Sequence, residues 1–276
     1  ASFAAVGWGT DTCGSIRLPA SHNGLFGLRP TKGLSSVDGI VPLAHTHDVG
    51  GPMARSATDL AIALDATVGV DPADPATLAL VGREPLSFVA SLDARALEGT
   101  RLGVLSNYFG DRDLDSDVAH VLHEALETIS ALGAELVEVE IPDLQQRLRG
   151  FSLERHEFKW DLMDYLAGNP GSPVTSLAQV LDRRLIHQDA IIQARRYEET
   201  PSRMTEAYRK ALAIGPPLLS STEGLLDNRN LDALVYPVVQ RRPAPLGESQ
   251  SGSTCALSVV TGLPALAIPV GLTYTG

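Results

Sequence analysis

GTDTCGSIRLPA, residues 9–20, is the stretch on which the reading of the fold depends. The apolar run before it, ASFAAVGW (1–8), is short enough for a buried strand, and GTDTCGS is a cluster of small, turn-forming residues. The pattern predicts a tight loop leaving a strand. A serine at the end of a strand and the start of a helical turn, as Ser15 is here, presents its hydroxyl beside backbone N–H groups without helical partners. Such groups can stabilise an oxyanion. Gly-Ser turns that do no chemistry are common, so composition alone makes Ser15 a candidate nucleophile and nothing more.

From this loop to Gly51 the chain stays rich in Gly and Pro, with short apolar pieces such as GLFGL and GIVPLA, which predicts close-packed irregular backbone rather than long helices. SATDLAIALDATV (56–68) places Leu60, Ala61, Leu64 and Val68 on one helical face, with Ser56 or Thr58 as the cap, and DPADP (71–75) ends that helix. RLGVLSNYF from Arg101 reads as a core strand. A helix over 115–132 and an alternating strand, AELVEVEIP, follow it. Strand, helix, strand predicts a sheet covered by helices. Residues 151–230 read as mostly helical, with Arg183, Arg184, Arg195 and Arg196 on a solvated face, and LDALVYPVV (231–239) and LPALAIPV (263–270) as two further strands. No repeat or linker divides the chain.

Composition sets limits on function. The chain has 276 residues, 44% of them apolar and 20% charged, which fits a water-soluble globular protein. No window approaches the ~18 uninterrupted apolar residues of a membrane span. A net charge of −11 repels phosphate backbones and anionic bilayers, so neither nucleic acid nor a membrane is expected as a direct partner. The bases are nearly all arginine; the lysines are Lys32, Lys159 and Lys210 alone. Cys13 and Cys255 lie far apart and make neither a disulfide framework nor a CxxC metal pair, which favours a reducing compartment, the cytoplasm. The first residue is Ala1, without a signal-peptide pattern behind it, and the last segment reads as a strand and a turn; both ends look cut.

GTDTCGSIRLPA is similar to the segment around the nucleophile in the amidase signature family, whose usual form is GTDxGGSIRxPA. The agreement continues through HNGLFGLRPTKG (22–33), DGIVPLAHTHDVGGPMARS (38–56), DPADPAT (71–77) and GLPALAIPVG (262–271). The stretch from about Leu144 to Leu231 matches least, and in the family it is the part that shapes the substrate pocket. The resemblance implies a single three-layer α/β/α domain with a large mixed, mostly parallel sheet, of which residues 1–276 are a part. It implies a hydrolase that cleaves a carboxylic amide through a serine acyl-enzyme, with no metal and no cofactor. Residue by residue, the nucleophile falls on Ser15. The oxyanion hole falls on the backbone N–H groups of Thr12, Cys13, Gly14 and Ser15. Asp11 and Arg17 fall on positions that brace the loop, and Thr10 on one that can hydrogen-bond a bridging serine.

Two departures stand out. Cys13 replaces a glycine, which a backbone donor tolerates if φ is negative there. The family's catalytic lysine and bridging serine lie upstream of the nucleophile, the serine in a GGSSGG-like loop, and this chain begins after both. Ser2 does not match that loop, and none of the three lysines stands in the matching place. The 276-residue chain alone is therefore expected to be inactive, because an unactivated serine is a weak nucleophile.

The expected ligand is a small-molecule amide, and a homodimer is the assembly left open. Alternatives are a glutamine-dependent transamidase component acting on aminoacyl-tRNA, a catalytically dead binding protein of the same ancestry, and thiol catalysis by Cys13 with His22, His45 or His47 as base. A small buried thiol is the simpler reading of Cys13. HTHD (45–48) resembles a metal-ligand run, but Asp48, Gly51 and Pro52 align with structural residues and leave the histidines incidental. His120 and His123 are expected to be exposed, and Arg55 to neutralise Asp48 or another acid of the packed loop.

Overall fold

The computed structural model describes residues 3–84, 86–109 and 115–273, which leaves Ser2 and the tail from Tyr274 outside the description. Its strands are β1 (Val6–Asp11), β2 (Phe26–Arg29), β3 (Val49–Ala54), β4 (Arg101–Leu105), β5 (Glu135–Val139), β6 (Ala233–Val235) and β7 (Ala265–Ala267). The helices are α1 (Arg17–His22), α2 (Ala57–Asp65), α3 (Ser116–Ala131), α4 (Leu144–Arg147), α5 (Glu154–Ala167), α6 (Leu177–Asp182), α7 (Ile191–Glu198), α8 (Glu206–Leu212), α9 (Gly215–Arg229) and α10 (Ala256–Thr261). The expected α/β class stands. Among the described residues the strands form two ladders: an antiparallel one in the order β1-β3-β2-β7, and a parallel one in the order β5-β4-β6.

Of the two caps the sequence offers for α2, Ser56 is the one used: its hydroxyl accepts from the Asp59 N–H. At the start of α3 the Asp115 carboxylate accepts from the Asp117 N–H. The main core lies under the parallel ladder, where Leu105, Val139 and Ile141 pack with Leu144, Leu218 and Leu257 from α4, α9 and α10. The arginines at 183, 184, 195 and 196 are exposed, as expected of a solvated face, and so are His120 and His123.

β3 is the element the sequence hides. VGGPMA lies where the sequence predicts irregular backbone, yet it is an inner strand of the antiparallel ladder, paired to β1 over its whole length. Its glycines are there for close approach: a Cβ on Gly51 would lie 2.2 Å from the Leu28 carbonyl oxygen. Gly27 on β2 is under the same constraint, with Ala20 Cβ of α1 2.5 Å from where its own Cβ would be. Small residues let α1 sit directly on the ladder, and α1 is what fixes the turn that carries Ser15.

Candidate active site

β1 ends at Asp11, opposite Val49, and the chain turns through Thr12, Cys13, Gly14 and Ser15 into α1. Leu18 N–H donates to the Gly14 carbonyl at 2.8 Å, so the first helical turn closes around Ser15. The Asp11 carboxylate is the anchor of this loop. It accepts the N–H groups of Gly14 at 2.7 Å and Ile16 at 3.3 Å, the Arg17 guanidinium at 3.0 Å, and the Arg29 guanidinium at 3.1 Å. Burial opposes the charge on Asp11, but the Arg17 and Arg29 guanidiniums and the Gly14 N–H outweigh it and hold the carboxyl below its ordinary pKa. Arg29 also donates to the carbonyls of Asp11 and His47. Sequence reading named Asp11 and Arg17 and missed Arg29, which sits in RPTKG with no charge pattern to set it apart.

Ser15 is exposed, and its hydroxyl has no hydrogen-bond partner among the described residues. The backbone N–H groups of Thr12, Cys13 and Ser15 likewise have none among them, whereas the Gly14 N–H is committed to Asp11. This removes Gly14 from the expected set of oxyanion donors, because a donor already pointed at a buried carboxylate is not free for a second anion. Gly14 is instead the residue that lets the loop turn: its φ is +91°, and a side chain would press on Leu18 and Cys255. Cys13 is not among the residues of positive φ, which meets the condition for replacing a glycine there. Thr10 is exposed on β1, opposite Gly50.

Cys13 is not a thiol. It forms a disulfide with Cys255, the residue just before α10, across a Cα–Cα distance of 5.2 Å. This corrects three expectations: the buried thiol, the thiol nucleophile, and the preference for a reducing compartment that rested on unpaired cysteines. The pairing escapes sequence reading because 242 residues separate the partners.

Each lysine is engaged away from Ser15. Lys32 donates to the carbonyls of His45 and Asp48, Lys159 pairs with Glu198, and Lys210 with Glu206. Arg55 is exposed, and Asp48 is held instead by the Thr12 hydroxyl at 2.5 Å and the N–H groups of Leu43 and Ala44 at 2.8 and 2.9 Å. Burial nevertheless raises the Asp48 pKa above its ordinary value.

The histidines of HTHD are not incidental. His45 Nδ1 lies 2.8 Å from Asp161 and 3.3 Å from Glu157 on α5. The three groups are close enough to hold a cation. Their oxygens already accept from Thr46 N–H and hydroxyl, Tyr208 hydroxyl, His45 N–H and Arg203, so the set reads as an ion-pair network. His47 is buried against Phe151, and burial together with the nearby Arg29 charge lowers its pKa to about 4. Among the described residues, no helix is long and apolar enough to cross a membrane.

A family model described as Amidase matches residues 1–276. A glutamyl-tRNA(Gln) amidotransferase chain of Geobacter metallireducens is 30% identical over 97% of this chain and 59% of its own length. Its counterpart in Acinetobacter baylyi is 42% identical over 51% of this chain and 28% of its own. Among solved structures, the native peptide amidase of Stenotrophomonas maltophilia superposes with a TM-score of 0.85 at 32% identity, covering 98% of this chain and 56% of that one. An amidase family protein of Bacillus anthracis gives 0.84 at 27% identity, covering 100% of this chain and 52% of its own. The chain thus spans between about a quarter and three-fifths of the relatives it matches. With the family match running its full length and the loop of Ser15 in place, the chain belongs to the amidase family.

Proposed function

We propose that the protein, in its full reading frame, hydrolyses a small-molecule carboxylic amide through Ser15. The observation that carries this reading is the division of labour in one loop. The N–H groups of Gly14 and Ile16 are tied to Asp11, while those of Thr12, Cys13 and Ser15 are left without partners among the described residues, beside an exposed hydroxyl. Ser15 Oγ attacks the amide carbon, the carbonyl oxygen becomes an oxyanion received by those donors, and the C–N bond breaks as the amine leaves with a proton. Water then attacks the acyl-serine ester and releases the acid. Each missing donor in such a site costs about 3 kcal/mol of transition-state stabilisation.

We place the base outside the described residues, a reading supported by the engagement of all three lysines with other partners. In the family that base is a lysine acting through a bridging serine. The 276 residues are, on this reading, part of one α/β domain and inactive alone. A fluorophosphonate probe is the test: it labels Ser15 in the full reading frame and leaves the 276-residue chain unlabelled. Equal labelling of both, or hydrolysis by the short chain that Ser15→Ala abolishes, contradicts the placement of the base.

The amidotransferase relatives favour a second reading, in which the same loop releases ammonia from glutamine for a partner protein. Glutaminase activity that depends on a co-purifying protein selects it; direct turnover of simple amides by the isolated protein selects the first.

A further inference from the structure

Four successive backbone N–H groups, of Leu43, Ala44, His45 and Thr46, each donate to a carboxylate. Leu43 and Ala44 donate to Asp48 at 2.8 and 2.9 Å, His45 to Asp161 at 2.9 Å, and Thr46 to Glu157 at 3.0 Å. The next two, of His47 and Asp48, close back on the Ala44 carbonyl. Each backbone N–H from Leu43 to Asp48 is therefore committed, and the turn is clamped from two sides: from within by Asp48, and from α5 by Glu157 and Asp161.

Those two acids stand four residues apart on one face of α5, with side chains 0% and 5% exposed. Packing alone would place leucine there, because a buried carboxylate is costly unless it is paired. Here Thr46 and His45 supply partners from more than a hundred residues away in sequence, and Tyr208 and Arg203 supply others from nearer. Glu157 receives both Thr46 donors and the Tyr208 hydroxyl, and Asp161 receives both His45 donors and Arg203. Outward, the turn touches the Ser15 loop at two points. Asp48 accepts the Thr12 hydroxyl at 2.5 Å, and Arg29 joins the His47 carbonyl to Asp11. Lys32 crosses the back of the turn to the His45 and Asp48 carbonyls.

We propose that Glu157 and Asp161 are positioning residues for the Ser15 loop, holding the 43–48 turn so that Asp48 fixes Thr12 and with it one oxyanion donor. The inference rests on the reading of that loop as the amide-cleaving site. A displaced donor weakens transition-state binding more than substrate binding, so kcat falls and KM does not.

Glu157→Gln and Asp161→Asn, which keep shape and one carbonyl acceptor, are each made in the full reading frame. The expected result is a kcat about ten-fold lower or more, with KM within about two-fold. Deuterium exchange should become faster in the peptides spanning 10–17 and 43–48. In a Thr12→Val background, where the Asp48 contact is already gone, Asp161→Asn should lower kcat no further. Arg155→Gln, exposed on the same helix, should change neither measurement. Tyr208→Phe, which removes a single donor from Glu157, gives the same exchange signature in milder form if the acid variants do not fold. Wild-type exchange in both peptides for folded Glu157→Gln and Asp161→Asn overturns the proposal, as does full additivity with Thr12→Val. If the wild type cleaves no amide, the amidase reading fails, and the exchange measurement still decides whether α5 governs the loop.

Discussion

Cys13 and Cys255 join the two ends of the described chain at the candidate active site, tying the Ser15 loop to the residue that precedes α10. Closing a loop of this length restricts the unfolded chain more than the folded one, and losing such a bond costs about 2–5 kcal/mol. Cys255→Ser, or reduction by a dithiol, is expected to lower the unfolding free energy by that amount, read as a lower denaturant midpoint. Non-reducing peptide mapping should recover residues 13 and 255 in one cross-linked species. Two free thiols in the native protein would contradict the pairing.

Asp11 is the shared anion of two buried guanidiniums, so its removal strands both. Asp11→Ala should destabilise by about 3–5 kcal/mol, measured by urea unfolding. The pH sign follows from its lowered pKa: the contribution of Asp11 is full above the unfolded carboxylate value and is lost as pH falls through the folded one. The wild type should thus lose stability below about pH 4 more steeply than Asp11→Asn does.

His45 and His47 pull stability in opposite directions with pH. His47, 5% exposed, has a pKa lowered to about 4, so the unfolded chain takes up its proton first and stability falls as pH drops from 6.5 toward 4. The upper bound for that loss is about 3 kcal/mol. His45 is raised by its hydrogen bond to Asp161, against burial and with help from Glu157, so its contribution is present below 6.5 and lost as pH rises through the folded value. Lys32, Arg203 and Tyr208 face the same network. Unfolding free energies from pH 4 to 8 should show His47→Gln flattening the acid limb and His45→Gln the alkaline limb. Parallel curves for wild type and both variants would refute the assignment.

The antiparallel ladder depends on its glycines. Gly51→Ala would force a methyl against the Leu28 carbonyl and should cost about 1–3 kcal/mol or more, whereas Gly69→Ala, in open space, should stay within about 1 kcal/mol of wild type. Thermal unfolding of the pair measures the difference, and equal midpoints would contradict the packing described.

The same glycines mark the limit of what is legible in the sequence. α2 and α3 are legible because Ser56 and Asp115 stand at the start of strong helical periodicities. β3 is not, because the residues that let it lie against β1 and Leu28 are the ones that usually mark turns. Ser15, Asp11 and Arg17 are legible as one contiguous motif. Arg29, Cys255, Glu157 and Asp161 reach the site through tertiary contacts only. For the two acids a signal exists: their four-residue spacing puts them beside Phe158 and Leu162, on a helix face that turns inward.

The central claim is that Ser15 is the nucleophile of an amide hydrolysis, and ammonia release from a panel of primary amides by the full reading frame tests it most directly. Turnover by the wild type is expected, with a loss of about a thousand-fold or more in kcat for Ser15→Ala with the fold intact. Wild-type ammonia release by folded Ser15→Ala would contradict it.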